Sequence, residues 1–455
     1  MAKMIDEQQY IRMTETPVSK LVTSLAVPTV AGMLVSSIYN ITDTFFVSQL
    51  GTSASAAVGV VFSIQSLIQA VGFSIAMGSG SMISRRLGQK DTESACRFVS
   101  SAFAMAFVFG TLLGVLGMVF LEPLMRLLGS TDTMLPHSCA YARYILATAP
   151  IFAASFVLNV AMKSEGRATL STLGMAAGNL LNVILDPLLI FTFKMGTSGA
   201  ALATAISQCV SFCALLWCFH NKQETLHIKV SYISKHVHDY VTIVRVGAPT
   251  LCRQGCGSIA SALLNNRAML YGDAAVAAMS IANRVYNVVR SILVGIGQGF
   301  QPVAGFNYGA KRPDRVRSAF RFTVVLGTAV AVLFTVVLAV FAPQLMTLFR
   351  RDDPQVIRMG SQALRMLCVV LPLLGYSTYV NQMLQCLGRS GQATFLASCR
   401  QGTIYVPLIV VLPLIWQFTG IQMTQPLADG LTFLVSIPFH IWFFRSPKGL
   451  RQIEQ

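Results

Sequence analysis

Charged side chains are scarce in this sequence, since Asp, Glu, Lys and Arg make up 11% of its 455 residues. Soluble globular domains carry about 25%, so the composition excludes an ordinary soluble protein. Hydrophobic residues reach 54%, and apolar runs of about 18 residues or more, long enough to cross a bilayer as helices, recur along the chain. Segments of about ten residues with alternating polarity, typical of a membrane β-barrel, are missing. The sequence therefore predicts an all-α integral membrane protein.

Metal-binding and catalytic motifs are also lacking. The ten cysteines show no Cys-X-X-Cys pairing and no histidine at ligand spacing, which favours helix packing over a metal site. No histidine cluster or nucleophile–base set supports a membrane-embedded enzyme, and no metal or cofactor is predicted. The polar N-terminal segment lacks the apolar core of a signal peptide, so the first membrane helix is expected to insert uncleaved.

Turn residues and charges divide the chain into twelve predicted membrane helices, in two groups of six. They span residues 20–49, 54–83, 93–121, 136–163, 169–192 and 198–220, and then 240–270, 274–305, 315–342, 356–385, 393–416 and 422–445. The predicted domains are a cytoplasmic N-terminal segment (1–19), an N-terminal bundle (20–220), a cytoplasmic linker (221–239), a C-terminal bundle (240–445) and a cytoplasmic tail (446–455).

The positive charge of the chain follows its predicted topology. The net charge is +16, and Lys and Arg are concentrated in alternate connections, such as those around Lys90 and Lys311. Because cytoplasmic loops are enriched in these residues, both termini are predicted to be cytoplasmic. Topology and attraction to anionic membrane lipid account for the charge, so no nucleic-acid partner is predicted.

The two halves are internal repeats. Landmarks recur at an offset of 221 or 222 residues, as in Pro28 and Pro249, Gly51 and Gly272, Gly78 and Gly299, Lys90 and Lys311, and Asn159 and Asn381. Six helices are an even number, so both repeats have the same orientation, and a pseudo-two-fold axis along the membrane normal is predicted. Two such bundles enclose a cleft and favour a carrier over a channel or an enzyme.

Several segments resemble transporters of the MATE (multidrug and toxic compound extrusion) family, in its DinF-like branch and among the MepA-type pumps. They are LAVPTVAGMLVSSIYNITDTFFVSQLG in the first span, GQKD after the second, EGRAT after the fourth, NLLNVILDPLLIF in the fifth, GTSGAALATAISQ before the sixth and FNYGAKR after the eighth. The resemblance implies a monomeric exporter in a bacterial cell membrane, which exchanges protons, or else sodium ions, for amphipathic organic cations.

The resemblance also implies functional residues. Asp43 and Asp186 match the essential carboxylates of the DinF-like branch, Asn182 and Thr204 complete an ion-coupling network, and Asn159 matches a cavity-lining position. The NorM-like branch carries acids in its C-terminal bundle, and the corresponding seventh and tenth spans here carry none.

The position of Asp186 supports a functional role on physical grounds. It lies near the middle of an apolar span, where a carboxylate costs about 2.5–3.5 kcal/mol on insertion scales and is a functional candidate by default. Asn182 precedes it by four residues and shares its helix face, and Pro187 frees a backbone carbonyl and is expected to bend the helix. The alternative is that one acid only braces neighbouring helices.

Other candidates surround these acids. Asn40 and Tyr39 share a face with Asp43, and Tyr39 and Met175 offer an aromatic and a soft contact for a cation, although apolar packing is an equal alternative. Together with Asn159 and Asp186 they are the predicted substrate-binding residues. Two acids in one apolar bundle are expected to bind protons as a coupled pair.

The C-terminal bundle carries charges of its own. Arg284 and Asp429 are a candidate ion pair, whereas Arg253 and Arg290 are expected to extend toward the membrane interface. These arginines keep open an alternative function, a lipid-linked oligosaccharide flippase of related architecture, which needs a cationic cleft for pyrophosphate. An ion channel and a membrane-embedded enzyme are the remaining alternatives.

Overall fold

The structure, a computed structural model, describes residues 7–220, 225–349 and 353–445. These residues form helices and the turns that join them, and no β-strand occurs among them. Residues 1–6 of the predicted N-terminal segment, 221–224 of the predicted linker and the whole predicted tail, 446–455, lie outside the described residues. The predicted all-α fold class is confirmed.

The helices follow one another with short connections. In chain order they are α1 (Glu7–Glu15), α2 (Val18–Ser48), α3 (Thr52–Gly88), α4 (Thr92–Val119), α5 (Leu121–Leu127), α6 (Leu135–Ser164), α7 (Ala168–Pro187), α8 (Gly196–His220), α9 (Val237–Met269), α10 (Asp273–Gly309), α11 (Pro313–Val340), α12 (Ala342–Phe349), α13 (Pro354–Val369), α14 (Leu371–Cys386), α15 (Ser390–Ser398) and α16 (Tyr405–Arg445). The π-helical turns Leu188–Thr192 and Cys399–Thr403 follow α7 and α15.

The predicted spans coincide with long helices, except near the C-terminus. The first six correspond to α2, α3, α4, α6, α7 with its π-helical turn, and α8, and the next three to α9, α10 and α11. The tenth is bent by 50° between α13 and α14, where Pro372 interrupts backbone hydrogen bonding. The eleventh begins in α15 and continues into α16, and non-helical dihedral angles at Trp416 and Gln417 separate it from the twelfth.

The helices differ in whether they are long and apolar enough to cross a membrane. Among the described residues, eight helices or helix runs are long and apolar enough to cross a membrane, and the bent α13–α14 pair makes a ninth. The last run, Ser390–Arg445, contains two predicted spans. α9 and α10 have the length but lower apolarity, because α9 carries Arg253 and α10 carries Arg284 and Arg290 among other polar residues.

The chain forms two compact units. Unit 1 comprises Met1–Arg12 and Ala31–Gly247, and unit 2 comprises Met13–Val30 and Ala248–Gln455. The start of α9 thus belongs to unit 1 and the start of α2 to unit 2. Two repeat-related glycines allow these helix starts to pack closely within their units. A Cβ at Gly78 would collide with the carbonyl oxygen of Ile243 on α9, within unit 1. A Cβ at Gly299 would lie 2.5 Å from Ala26 Cα on α2, within unit 2.

The repeat is visible in the backbone. Lys90 and Lys311 both adopt left-handed conformations just after α3 and α10, with φ of 60° and 56°. In each case the next amide N–H bonds back to a carbonyl five residues earlier, at 2.9 Å, which is the hydrogen bond of a Schellman helix end. The same residue type therefore ends the second helix of each repeat in the same way.

Candidate functional site

One face of α7 changes from small to polar side chains along its length. Gly174, Gly178, Asn182 and Asp186 follow at intervals of four residues, and all are buried. At Gly178 a Cβ would lie 2.5 Å from the carbonyl oxygen of Ser207 on α8, so only glycine permits this close approach. The approach brings the polar end of the face against α8.

Asn182 connects Asp186 to α8. Asp186 is completely buried, with 0% exposure. In the amide orientation that satisfies both polar atoms of Asn182, Nδ2 donates to Asp186 Oδ2 at 2.8 Å and Oδ1 accepts from the backbone N–H of Thr204 at 3.2 Å. Asn182 and Asp186 share a helix face, as their spacing predicts, and their side chains are in contact.

Asp43 of α2 lies against Asp186 within unit 1. The two carboxyl groups lie close enough to interact, and a hydrogen bond between them requires a proton on one of them. Asp43 Oδ1 is buried without a hydrogen-bond partner. Among the described residues, no group of three or more His, Cys, Asp or Glu side chains is arranged to hold a metal ion. Two adjacent carboxyl groups can share one proton.

Two tyrosine hydroxyl groups complete the network around Thr204. Tyr39, one turn before Asp43 on α2, lies close to Thr204 and Gln65. Tyr141 of α6 is 2% exposed and also lies close to Thr204. Thr204 is thus near polar groups from several helices.

The α-helical geometry of α7 ends directly after Asp186. Pro187, its last residue, cannot donate a backbone hydrogen bond, and the chain continues as the π-helical turn Leu188–Thr192. π-Helical turns are rare in proteins, and those that occur often lie at functional sites. A local widening of the helix thus accompanies the proline at which the sequence predicts a bend.

A cavity of about 100 Å³ lies beside this network in unit 1. Its wall combines apolar surface with amides and hydroxyl groups, and none of the described residues that line it is acidic or basic. The aromatic and soft part consists of Tyr39, Phe62, Phe152, Phe156 and Met175, and the polar part includes Asn40, Gln65, Gln69, Asn179, Asn182, Thr204 and Gln208. Aromatic faces and neutral oxygen acceptors suit an organic cation.

The predicted site residues divide into those in the wall and those behind it. Tyr39, Asn40 and Met175, predicted to bind substrate, line the cavity. Asp186 does not line it, because Asp186 is fully enclosed and its Oδ2 accepts from Asn182, which forms the wall in its place. Contact between Asp186 and substrate stays a prediction.

Asn159, predicted to line the cavity, is instead a helix brace. Its Nδ2 donates to Ser171 Oγ at 2.6 Å, and Ser171 Oγ donates to the Asn159 carbonyl oxygen at 2.8 Å. In unit 2, Asn381 donates to the carbonyl oxygen of Ala393 at 2.6 Å, and these two residues are the repeat equivalents of Asn159 and Ser171. A role shared by both repeats indicates that this asparagine stabilises the scaffold.

The predicted ion pair between Arg284 and Asp429 is wrong, because Asp429 pairs with Arg400 instead. Arg400 Nε lies 2.7 Å from Asp429 Oδ1, and the Tyr286 hydroxyl donates to Asp429 Oδ2 at 2.7 Å. Arg284 is exposed. Arg400 lies in the π-helical turn after α15, and this turn brings its side chain against Asp429 of α16.

Sequence reasoning missed Tyr141 and Arg400. A tyrosine inside an apolar span needs a partner for its hydroxyl group, and an arginine inside one needs a counter-charge. Those rules flag both residues, although neither rule identifies the partner.

Comparison with known proteins agrees with this geometry. A family model described as MatE matches the chain twice, over residues 28–188 and 249–411. The two matches begin at Pro28 and Pro249, the first pair of landmarks in the internal repeat. The resemblance stated from the sequence is confirmed.

Full-length relatives are similar in sequence and fold. A multidrug export protein MepA from Staphylococcus saprophyticus is 29% identical over 95% of this chain and 96% of that protein. Its counterpart from Staphylococcus haemolyticus is 27% identical over 94% of each chain. A solved outward-facing structure of a multidrug resistance MATE family transporter of the MOP superfamily is 25% identical, with a TM-score of 0.91 over 99% of both chains.

Proposed function

Because this chain belongs to the MatE family of multidrug efflux transporters, we propose that it exports cationic amphipathic compounds from a bacterial cytoplasm in exchange for protons rather than sodium ions. The exchange proceeds by alternating access, in a monomer held in the cell membrane with both termini cytoplasmic. The observation that carries the proposal is the contact between the Asp43 and Asp186 carboxyl groups beside a cavity of aromatic and amide side chains.

The composition of the pair supports proton coupling. Two carboxyl groups in contact hold one proton between them, whereas a hard cation takes several oxygen ligands. The nearest amide, Asn182, presents its N–H group to Asp186 and its oxygen to the backbone of α8. In that orientation it offers a metal cation no ligand, so the arrangement supports protons over sodium.

Export requires that proton binding and substrate binding oppose each other. When Asp43 and Asp186 lose their shared proton, the negative charge behind the wall attracts a cation to the aromatic surface. A proton that returns from outside removes this charge and releases the substrate. One proton moving inward supplies about 2.3 kcal/mol per 100 mV and about 1.4 kcal/mol per pH unit, enough to concentrate a substrate tens- to hundreds-fold.

Substrate entry requires the cavity to widen. Its volume of about 100 Å³ is below the roughly 300–1,000 Å³ of pockets for drug-sized ligands. Asp43 and the wall residues Tyr39 and Asn40 all lie on α2. A movement of α2 that follows the protonation of Asp43 would therefore change the cavity wall and the charge behind it in one step.

The flippase alternative finds less support in unit 1. A pyrophosphate group needs cationic partners, and the described residues that line the cavity include neither lysine nor arginine.

The test is ethidium transport in proteoliposomes under separately imposed proton and sodium gradients. We expect a proton gradient alone to drive accumulation, and Asp43→Asn and Asp186→Asn each to abolish it. Asp132→Asn is the matched control, because Asp132 is an exposed aspartate paired with Arg126, and this variant should transport normally. Undiminished accumulation by both acid variants would refute the carboxyl-pair mechanism, and drive by sodium alone would refute proton coupling.

A further inference from the structure

Unit 2 brings three arginines near one another, and one of them, Arg400, pairs with a carboxylate. Arg253 lies midway along α9, about 24 Å from either end at 1.5 Å per residue, and Arg290 lies near the middle of α10, about 26 and 29 Å from its two ends. Both arginines therefore lie far along their helices from either helix end. Arg400 is buried in the π-helical turn after α15.

Packing explains why the three meet. A Cβ at Gly257 would lie 3.0 Å from Gln401 Oε1, which places α9 directly against the π-helical turn. Arg253 precedes Gly257 by one helical turn and shares its face. On α10, Arg290 follows Tyr286 by one turn, and the Tyr286 hydroxyl is 3.4 Å from Arg400 Nη2. Arg400 is accordingly the strongest charged neighbour of both Arg253 and Arg290.

The Asp429 carboxylate accepts its hydrogen bonds from Arg400 and from two neutral side chains. Asp429 accepts from Arg400 Nε at 2.7 Å, from Tyr286 at 2.7 Å and from Gln425 Nε2 at 2.9 Å. Within the described residues Arg253 has no hydrogen bond or ion pair, and Arg290 has only Asn287 Oδ1, at 3.2 Å. Within the described residues neither guanidinium group forms an ion pair, and neither is completely enclosed.

The repeat places this cluster at the counterpart of the unit 1 cavity. At the offset of 221 residues, Tyr286 corresponds to Gln65 and Arg290 to Gln69. The offset of 222 seen at Asn159 and Ser171, extended along the chain, pairs Arg400 with Gly178 and Asp429 with Ser207. All four unit 1 residues line the cavity, so unit 2 carries charged groups where unit 1 carries neutral ones.

We propose that unit 2 contains an anion-binding site, in which Arg253 and Arg290, positioned beside the Arg400–Asp429 pair, bind a single phosphate or carboxylate group of an amphipathic molecule. Guanidinium groups bind such oxyanions through paired N–H donors, and an anion would remove the uncompensated charge of the cluster. The source of the oxyanion is either a soluble amphiphile or a lipid headgroup. This site is separate from the proposed cation cavity and does not depend on proton coupling.

The experiment measures binding, so it is independent of transport. Purified protein in phosphatidylcholine nanodiscs is titrated with hexyl phosphate by isothermal titration calorimetry, and a second arm compares retention of phosphatidylglycerol and phosphatidylcholine by native mass spectrometry. Arg253→Gln and Arg290→Gln should each weaken binding by about ten- to a hundredfold in whichever arm detects it. Arg290→Gln introduces the residue found at the equivalent position of unit 1, so the fold should tolerate it.

The control and the outcomes decide the proposal. Arg284→Gln alters an exposed arginine on the same helix and should bind as the wild type does. Saturable hexyl phosphate binding assigns the site to soluble amphiphiles, and selective phosphatidylglycerol retention assigns it to lipid. Absence of both in the wild type overturns the proposal, as does unchanged binding by the Arg253→Gln/Arg290→Gln double variant.

Discussion

Two ion pairs of equal length in opposite surroundings predict very different effects on stability. Arg400 Nε lies 2.7 Å from Asp429 Oδ1, with side-chain exposures of 11% and 0%, and Arg126 Nη1 lies 2.7 Å from Asp132 Oδ1, with exposures of 55% and 85%. Removing one partner of a buried pair leaves an uncompensated charge and costs about 3–5 kcal/mol. An exposed pair contributes about 0–1 kcal/mol.

Arg400→Gln should therefore destabilise the protein by several kcal/mol, and Arg126→Gln by less than about 1 kcal/mol. Equilibrium unfolding by SDS from mixed micelles measures both. The double variant Arg400→Leu/Asp429→Leu removes the charge together with its partner, so it should recover most of the loss. If the two single variants lost equal unfolding free energy, or if the double variant were as unstable as Arg400→Gln, burial would not explain the difference between the two ion pairs.

Three further outcomes are expected. Burial raises the pKa of the Glu165 carboxyl in the connection after α6, against the opposing effect of Arg167. The free energy of unfolding should therefore fall as pH rises through that raised pKa. Thermal unfolding of Glu165→Gln should lack this dependence on pH. Gly178→Ala should separate α7 from α8 and reduce ethidium transport severalfold, whereas Gly430→Ala, whose Cβ would meet no atom within 4 Å, should be neutral. Asn159→Leu should destabilise the fold by about 1–3 kcal/mol through the unsatisfied Ser171, and measured transport per folded molecule should be unchanged.

The extent to which sequence predicts this site depends on the distance between residues along the chain. Helical periodicity alone predicts that Asn182 contacts Asp186, because four residues return to the same face. No local rule brings Asp43 to Asp186, which is 143 residues away; that pairing followed only from a family resemblance. Likewise, the need of Asp429 for a cation was predictable, but several arginines satisfied that need, and only the packing of the π-helical turn selects Arg400.

Prolines show the same limit in the fold. Pro150 and Pro372 are repeat equivalents, yet α6 continues through Pro150 as one helix, while the chain bends by 50° at Val370, just before Pro372. A proline removes one backbone hydrogen bond in either case. Whether the helix then bends is decided by the neighbours packed against it, which a local pattern does not contain.

The two repeats keep the same scaffold and differ in charge. Asn159 and Asn381 make the same inter-helix hydrogen bond, and Gly78 and Gly299 permit the same close packing. At the positions between these fixed points, unit 1 has amides backed by two carboxyl groups, and unit 2 has arginines. A charge inside a membrane helix is costly and is usually either paired or functional, so the opposite charges of the two copies fit the proposal of two ligands of opposite charge. If the anion site is absent, the arginines of unit 2 must instead contribute to stability, and Arg253→Gln and Arg290→Gln would then lower the free energy of unfolding without changing any binding.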